Sequence, residues 1–215
     1  MGMHLGLVAV KAPLARLVDV FAKVWPELEI VASKTGFRDA GGVLTWVKEN
    51  EHFVSSRGAT PENPGTLCLL FAQDGPWAIM MDSSCTLAGD EEALPRLGEL
   101  CQGTLLSFVV ESSGGCAYFS HYESGELRRS ISNDGAEVEF EGEALAQEEG
   151  IDTSGYYMDE TEALMRAFGL SAVESLPDPA TTTAIAVADR TDYSQFRRAP
   201  AGGQARAQKP WWKFW

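Results

Sequence analysis

The sequence predicts an α+β fold, an antiparallel β-meander packed with a few helices, and three observations carry that expectation. Between Thr104 and Glu141 four strand-like runs are separated by glycine-bearing turns. Apolar residues at helical spacing occur in separate stretches, above all Leu14 to Trp25. Strands and helices group together without regular βαβ alternation, the pattern of an α+β domain rather than a parallel sheet.

In chain order, Leu5 to Val10 reads as a first strand, and Pro13 suits the opening turn of a helix. Leu14, Leu17, Val18, Phe21, Val24 and Trp25 repeat along that helix, and Pro26 ends it. Leu28 to Ala32 is a candidate strand. The segment 34–66 is rich in Gly and Pro and weakly patterned, with Val43 to Val47 as a short candidate strand and Arg57 to Gly65 as a loop. Thr66 to Ala72 and Trp77 to Met81 flank Asp74-Gly75, a strong hairpin signal. A helix is expected between Glu91 and Cys101, its start blurred by Pro95.

The meander follows: Thr104 to Glu111, Cys116 to Tyr122, Glu126 to Ser132 and Ala136 to Glu141. Their turns are Ser112-Ser113-Gly114-Gly115, Ser124-Gly125 and Asn133-Asp134-Gly135. In the last strand, alternation places Val138 and Phe140 on one face and Glu137, Glu139 and Glu141 on the other. Asp159 and Glu162 resemble a capping box for a helix over 160–168 that Gly169 ends. Thr183 to Val187 is a candidate last strand. The expected organisation is one α+β domain over 1–196, with 34–66 an insertion or a mobile segment, a flexible linker over 197–210 and an aromatic anchor over 211–215.

At 215 residues the chain is long enough for a substantial core. Its formal charge of -14 is unevenly spread. From Arg190 onward there are six bases and one acid, so this end carries +5 and residues 1–189 carry -19. An acidic body repels nucleic acid and anionic lipid, so no nucleic-acid partner is expected and a basic protein partner is. The four cysteines form no CxxC pair and read as buried thiols. Lys11, Arg16, Asp19 and Lys23 follow residues 5–10 too soon for a secretory signal, and no apolar run reaches membrane-spanning length, which predicts a cytoplasmic protein.

Little in the chain points to catalysis. His4, His52 and His121 have no metal-ligand spacing. No GxGxxG or GxxxxGK[ST] motif is present, so no cofactor is expected. Asp82-Ser83-Ser84-Cys85 follows a strand and is a candidate nucleophile site with His121 as partner, although no nucleophile elbow surrounds it. The competing reading is a polar turn capped by Asp82 or Ser83.

The acidic section and the C-terminus carry more information. From Ser130 to Met165 there are eleven acids and no lysine or arginine. A solvated face, a docking surface for a basic protein and a calcium site are the alternatives, the last without a DxDxDG loop. Half of the six tryptophans, Trp211, Trp212 and Trp215, lie in the last five residues. Such rings can dock on their own domain, on a partner, or at a membrane interface.

The stretch from Trp77 to Gly169 has further features in sequence: a strand ending in Asp82, the helix segment Leu97-Gly98-Glu99-Leu100-Cys101, and the strand Leu106 to Val110. Tyr118, the turn Gly125-Glu126-Leu127-Arg128 and the segment Glu141 to Leu145 follow. This stretch resembles uncharacterised bacterial cytosolic proteins of the toxin-immunity type. The resemblance implies a protein without enzymatic activity that occludes a partner, and it implies no catalytic residue. The residues expected to bind the partner are Glu137, Glu139 and Glu141, with Trp211, Trp212 and Trp215 as aromatic anchors. A small-molecule-binding domain or enzyme with a Cys/His/Asp pocket is the first alternative, and a membrane-associated adaptor using the tail is the second.

Overall fold

The computed structural model describes residues 4–37, 40–51, 53–54, 65–171 and 181–191. Its strands are β1 (His4–Val10), β2 (Leu28–Thr35), β3 (Thr66–Asp74), β4 (Trp77–Asp82), β5 (Thr104–Glu111), β6 (Cys116–Glu123), β7 (Glu126–Asn133), β8 (Val138–Gly142) and β9 (Thr183–Asp189). Among the described residues they form one nine-stranded sheet in the order β2-β9-β3-β4-β1-β5-β6-β7-β8, antiparallel throughout. The helices are α1 (Leu14–Val24), α2 (Ala40–Glu49), α3 (Ala93–Cys101) and α4 (Met158–Ala167), with short 3-10 turns at Ala146–Glu148 and Thr153–Gly155. The architecture is the expected α+β meander packed with helices.

The middle strands are buried on both faces, which explains their nearly unbroken apolar runs. In β1 every residue from Leu5 to Val10 is buried, and in β5 every residue from Leu105 to Glu111. One face packs Val8, Val10, Phe71, Met80 and Leu105 under α1 and α3. The other packs Leu7, Ala9, Ile79, Phe108, Phe119 and Ile131 under α4 and the turns before it, which contribute Tyr156, Leu164 and Met165. Each fully buried large apolar side chain contributes on the order of 1.5–3 kcal/mol, so these two clusters dominate the stability.

The helix starts have local causes. In α1, Leu17, Val20, Phe21 and Val24 are buried, a stripe at i, i+3, i+4 and i+7 that faces the sheet. In α3 the Asp90 carboxylate accepts the Ala93 N–H at 3.1 Å, and Pro95 falls in the first turn, where the absent N–H costs no helical bond. The same Asp90 accepts the Trp25 indole N–H at 2.9 Å and so ties the end of α1 to the start of α3.

Two local expectations are corrected. Val43 to Val47 lies within helix α2 and not in a strand. Val43 and Trp46, three residues apart, pack on Phe37, Leu70 and Ala184, and a helix alone brings both to one side. The β-branched composition hid that spacing. The helix cap also shifts: α4 begins at Met158, and the Glu160 carboxylate accepts the Tyr157 N–H at 3.0 Å. Asp159 lies inside the first turn, and Glu162 instead pairs with Arg166 at 3.2 Å. The expected end of the folded body near Phe196 lies outside the described residues.

Candidate functional site: the open face of the meander

On the α1/α3 side, helix cover stops before the sheet does. Segment 83–92 crosses β5, and the Ser107 hydroxyl donates to the Ala88 carbonyl beneath it. Further out, β6, β7 and β8 present a polar surface. The register aligns Ser107 with Ser120, Ser120 with Ser130, and Ser130 with Glu141. The neighbouring row runs Val109, Tyr118, Ser132 and Glu139. Alternate side chains of a strand share a face, so a floor of small hydroxyls and one tyrosine ends in glutamates on an edge strand. Glu139 and Glu141 are exposed, and among the described residues β8 pairs with β7 alone.

At the inner end of this floor lies a hollow of about 20 Å³, lined by Ala88, Gly89, Glu91, Leu94, Ser107, Val109, Tyr118 and Ser120. It has room for a water-sized group and is far below the few hundred Å³ of a metabolite site. Its electrostatics are negative. Burial pushes the Tyr118 phenol up to about 12, and Cys116, Asp134 and Glu91 add to the shift. Burial also raises Tyr122; a Ser120 hydrogen bond opposes this, and Glu91 and Glu141 reinforce it. No ion pair within the described residues neutralises Glu91, Glu137, Glu139 or Glu141.

Several of the eleven acids are otherwise engaged. Glu148 pairs with Arg129 in the interior. Asp134 accepts the N–H groups of Ala136 and Glu137, and Asp152 those of Ser154. Glu160 and Glu162 serve α4. Among the described residues, the acids with no such hydrogen bond or ion pair include the three the sequence singled out. Glu137 precedes β8, and Glu139 and Glu141 stand on the open face. Val138 is partly buried on the opposite face as expected, whereas Phe140 is 48% exposed and lies against the Arg129 guanidinium at 5.1 Å. Trp211, Trp212 and Trp215 lie outside the described residues, as does His52.

Among the described residues, Asp82, Cys85 and His121 do not assemble into a Cys/His/Asp site. The Asp82 carboxylate is buried and accepts the N–H groups of Ser84 at 2.9 Å and Leu87 at 2.7 Å, the polar turn of the competing reading. Cys85 packs under α1 and α3, and burial followed by the charges of Asp82 and Glu111 pushes its thiol up to about 12. His121 lies on the opposite face of the sheet, its ring 6.1 Å from Phe168 and its Nε2 2.9 Å from Glu123. Among the described residues no group of three or more His, Cys, Asp or Glu converges on a metal position, and no helix is long and apolar enough to cross a membrane.

Glu91, Tyr118 and the serine rows were not read from the sequence as site residues, although Tyr118 is among the features of the Trp77 to Gly169 stretch. The available signal was Ser130-Ile131-Ser132 and its neighbours Ser107 and Ser120, hydroxyls at alternate positions where a covered strand would carry apolar residues. The fold and this surface define an antiparallel α+β protein with an open, acidic, hydroxyl-floored sheet face. Compared with protein-family models, curated proteins and solved structures, the chain matches none.

Proposed function

We propose that the protein acts by protein–protein contact, presenting the open face of the β5–β8 meander to a basic partner. The observation that carries this is a group of carboxylates, Glu91, Glu139 and Glu141, that have no ion-pair partner among the described residues and stand around the serines of β6 and β7. A field of one sign steers a partner of the other sign and raises its association rate. An immunity or inhibitor protein is the most concrete form, with the acidic face covering a basic active site or substrate groove. In that form Trp211, Trp212 and Trp215 act as aromatic anchors.

The test is capture from a native lysate with full-length protein, with a version ending at Gln208, and with a Glu137→Lys, Glu139→Lys, Glu141→Lys variant. A basic protein retained by the wild type is then followed kinetically. The charge-reversed variant is expected to associate at least about tenfold more slowly at low salt, with the difference shrinking as salt screens the charges. An unchanged association rate at low salt sinks the proposal. Loss of the partner on removing residues 209–215 assigns anchoring to the tail.

A further inference from the structure

We propose that the hollow between Glu91 and the Ser107–Ser120 row seats the ammonium group of one lysine side chain from the partner. The inference rests on the docking reading above and specifies its anchor.

Size is the first argument. A hollow of about 20 Å³ admits one water-sized group. An ammonium head has that size, whereas the planar fork of an arginine spreads five donors over a wider span. Hydrogen-bonding capacity is the second. An ammonium carries three donors and no acceptor, and the lining offers acceptors: the Glu91 carboxylate and the hydroxyls of Ser107 and Ser120. Ser107 gives its proton to the Ala88 carbonyl, which leaves its oxygen lone pairs for an incoming donor. The third argument is the wall. Ala88, Leu94 and Val109 line the hollow with carbon, which suits the last methylene beside the ammonium, while the rest of the stem stays outside. The Tyr118 ring adds an aromatic neighbour of the kind cations favour. Among the described residues none that lines the hollow is cationic, and Glu139 and Glu141 extend the negative field outward.

The test uses full-length protein, amide NMR and the peptide Ac-Gly-Gly-Lys-Gly-Gly-NH2, with matched peptides carrying arginine, acetyl-lysine or norleucine in place of the lysine. The expected result is a saturable shift of the Gly89, Glu91, Ser107 and Ser120 amides with the lysine peptide alone. Glu91→Gln is expected to weaken it at least threefold. Ser120→Val, which fills the hollow with methyl groups, is expected to abolish it. No saturable shift, an equal shift with acetyl-lysine or norleucine, or equal binding of the arginine peptide overturns the proposal. The outcomes separate from those of the docking test. If charge reversal at Glu137, Glu139 and Glu141 slows a partner while the lysine peptide is silent, the docking face stands and the lysine seat falls. If the peptide binds and charge reversal changes no association rate, the seat stands and the docking reading falls.

Discussion

Arg129 and Glu148 meet through two parallel hydrogen bonds, Nε to Oε1 at 2.9 Å and Nη2 to Oε2 at 2.7 Å. Both side chains are 6% exposed. Arg129 also donates to the Gly142 carbonyl, and Glu148 accepts the Leu145 N–H. The pair therefore fastens the turn after β8 to β7 and holds the edge strand in place. Removing one partner leaves the other charge buried. Glu148→Ala is expected to cost about 3–5 kcal/mol in chemical denaturation, and Glu148→Gln less, because it keeps an acceptor for Leu145. A cost for Glu148→Ala below about 1 kcal/mol would instead class the pair with exposed ion pairs.

The β6–β7 turn touches α3 backbone to backbone. Gly125 has φ 90°, and a Cβ there would lie 2.7 Å from the Pro95 carbonyl oxygen. Gly125→Ala thus combines an unfavourable dihedral with a clash, and a loss of about 2–3 kcal/mol is expected. At Gly98 the nearest atom, the Gly125 nitrogen, is 3.1 Å from an added Cβ. There, tight contact opposes a helix-propensity gain of about 1 kcal/mol, so Gly98→Ala is expected to be close to neutral. Paired thermal melts read the contrast; equal losses at the two glycines would contradict it.

Thiol chemistry should follow burial. Burial pushes Cys68 up to about 11, and burial with Asp82 and Glu111 pushes Cys85 up to about 12. The thiolate is the reactive form, and at pH 8 it amounts to about one part in a thousand or less for these two. Alkylation of the native protein at pH 8, mapped by mass spectrometry, should therefore spare Cys68 and Cys85 until denaturant is added. Rapid native labelling of Cys85 would show that segment 83–92 opens.

Acid should weaken the protein through Glu111. Burial acts to raise its carboxyl, but the Ser113 hydroxyl and the N–H groups of Ser113 and Gly114, helped by His4, hold it below 4.5. A carboxyl with a depressed folded-state pKa stabilises the fold above its unfolded value and loses that contribution as pH falls. Melting temperature should drop below about pH 4.5, and the acid limb should be shallower in Glu111→Gln. Identical pH profiles for the two proteins would exclude the role.

The parts of this architecture readable in the chain are those set by neighbours in sequence. Ser124-Gly125 and Asn133-Asp134-Gly135 place glycine where φ is positive, so the hairpins follow from local chemistry. The three glutamates around β8 were readable through strand alternation. What escaped depends on distant partners. Whether an acid is free or engaged turns on groups such as Arg129, nineteen positions from Glu148 in sequence. Tyr118 and Glu91 converge only because segment 83–92 crosses β5, and no spacing within either segment encodes that. In α2 the residue types suited a strand, and tertiary contacts with Phe37 and Leu70 decided for the helix.

β9 lies between β2 and β3, although 108 residues separate the end of β3 from its start. Its antiparallel neighbour β2 has no other strand partner among the described residues. A chain released before Thr183 would leave β2 unattached and expose the bare edge of β3, a template for pairing with other chains. The β5–β8 hairpins close through short-range contacts and can form early, whereas the N-terminal half must wait for its keystone from the far end of the chain. Truncation upstream of β9 should therefore yield a protein half built and prone to aggregate, not merely a shorter one.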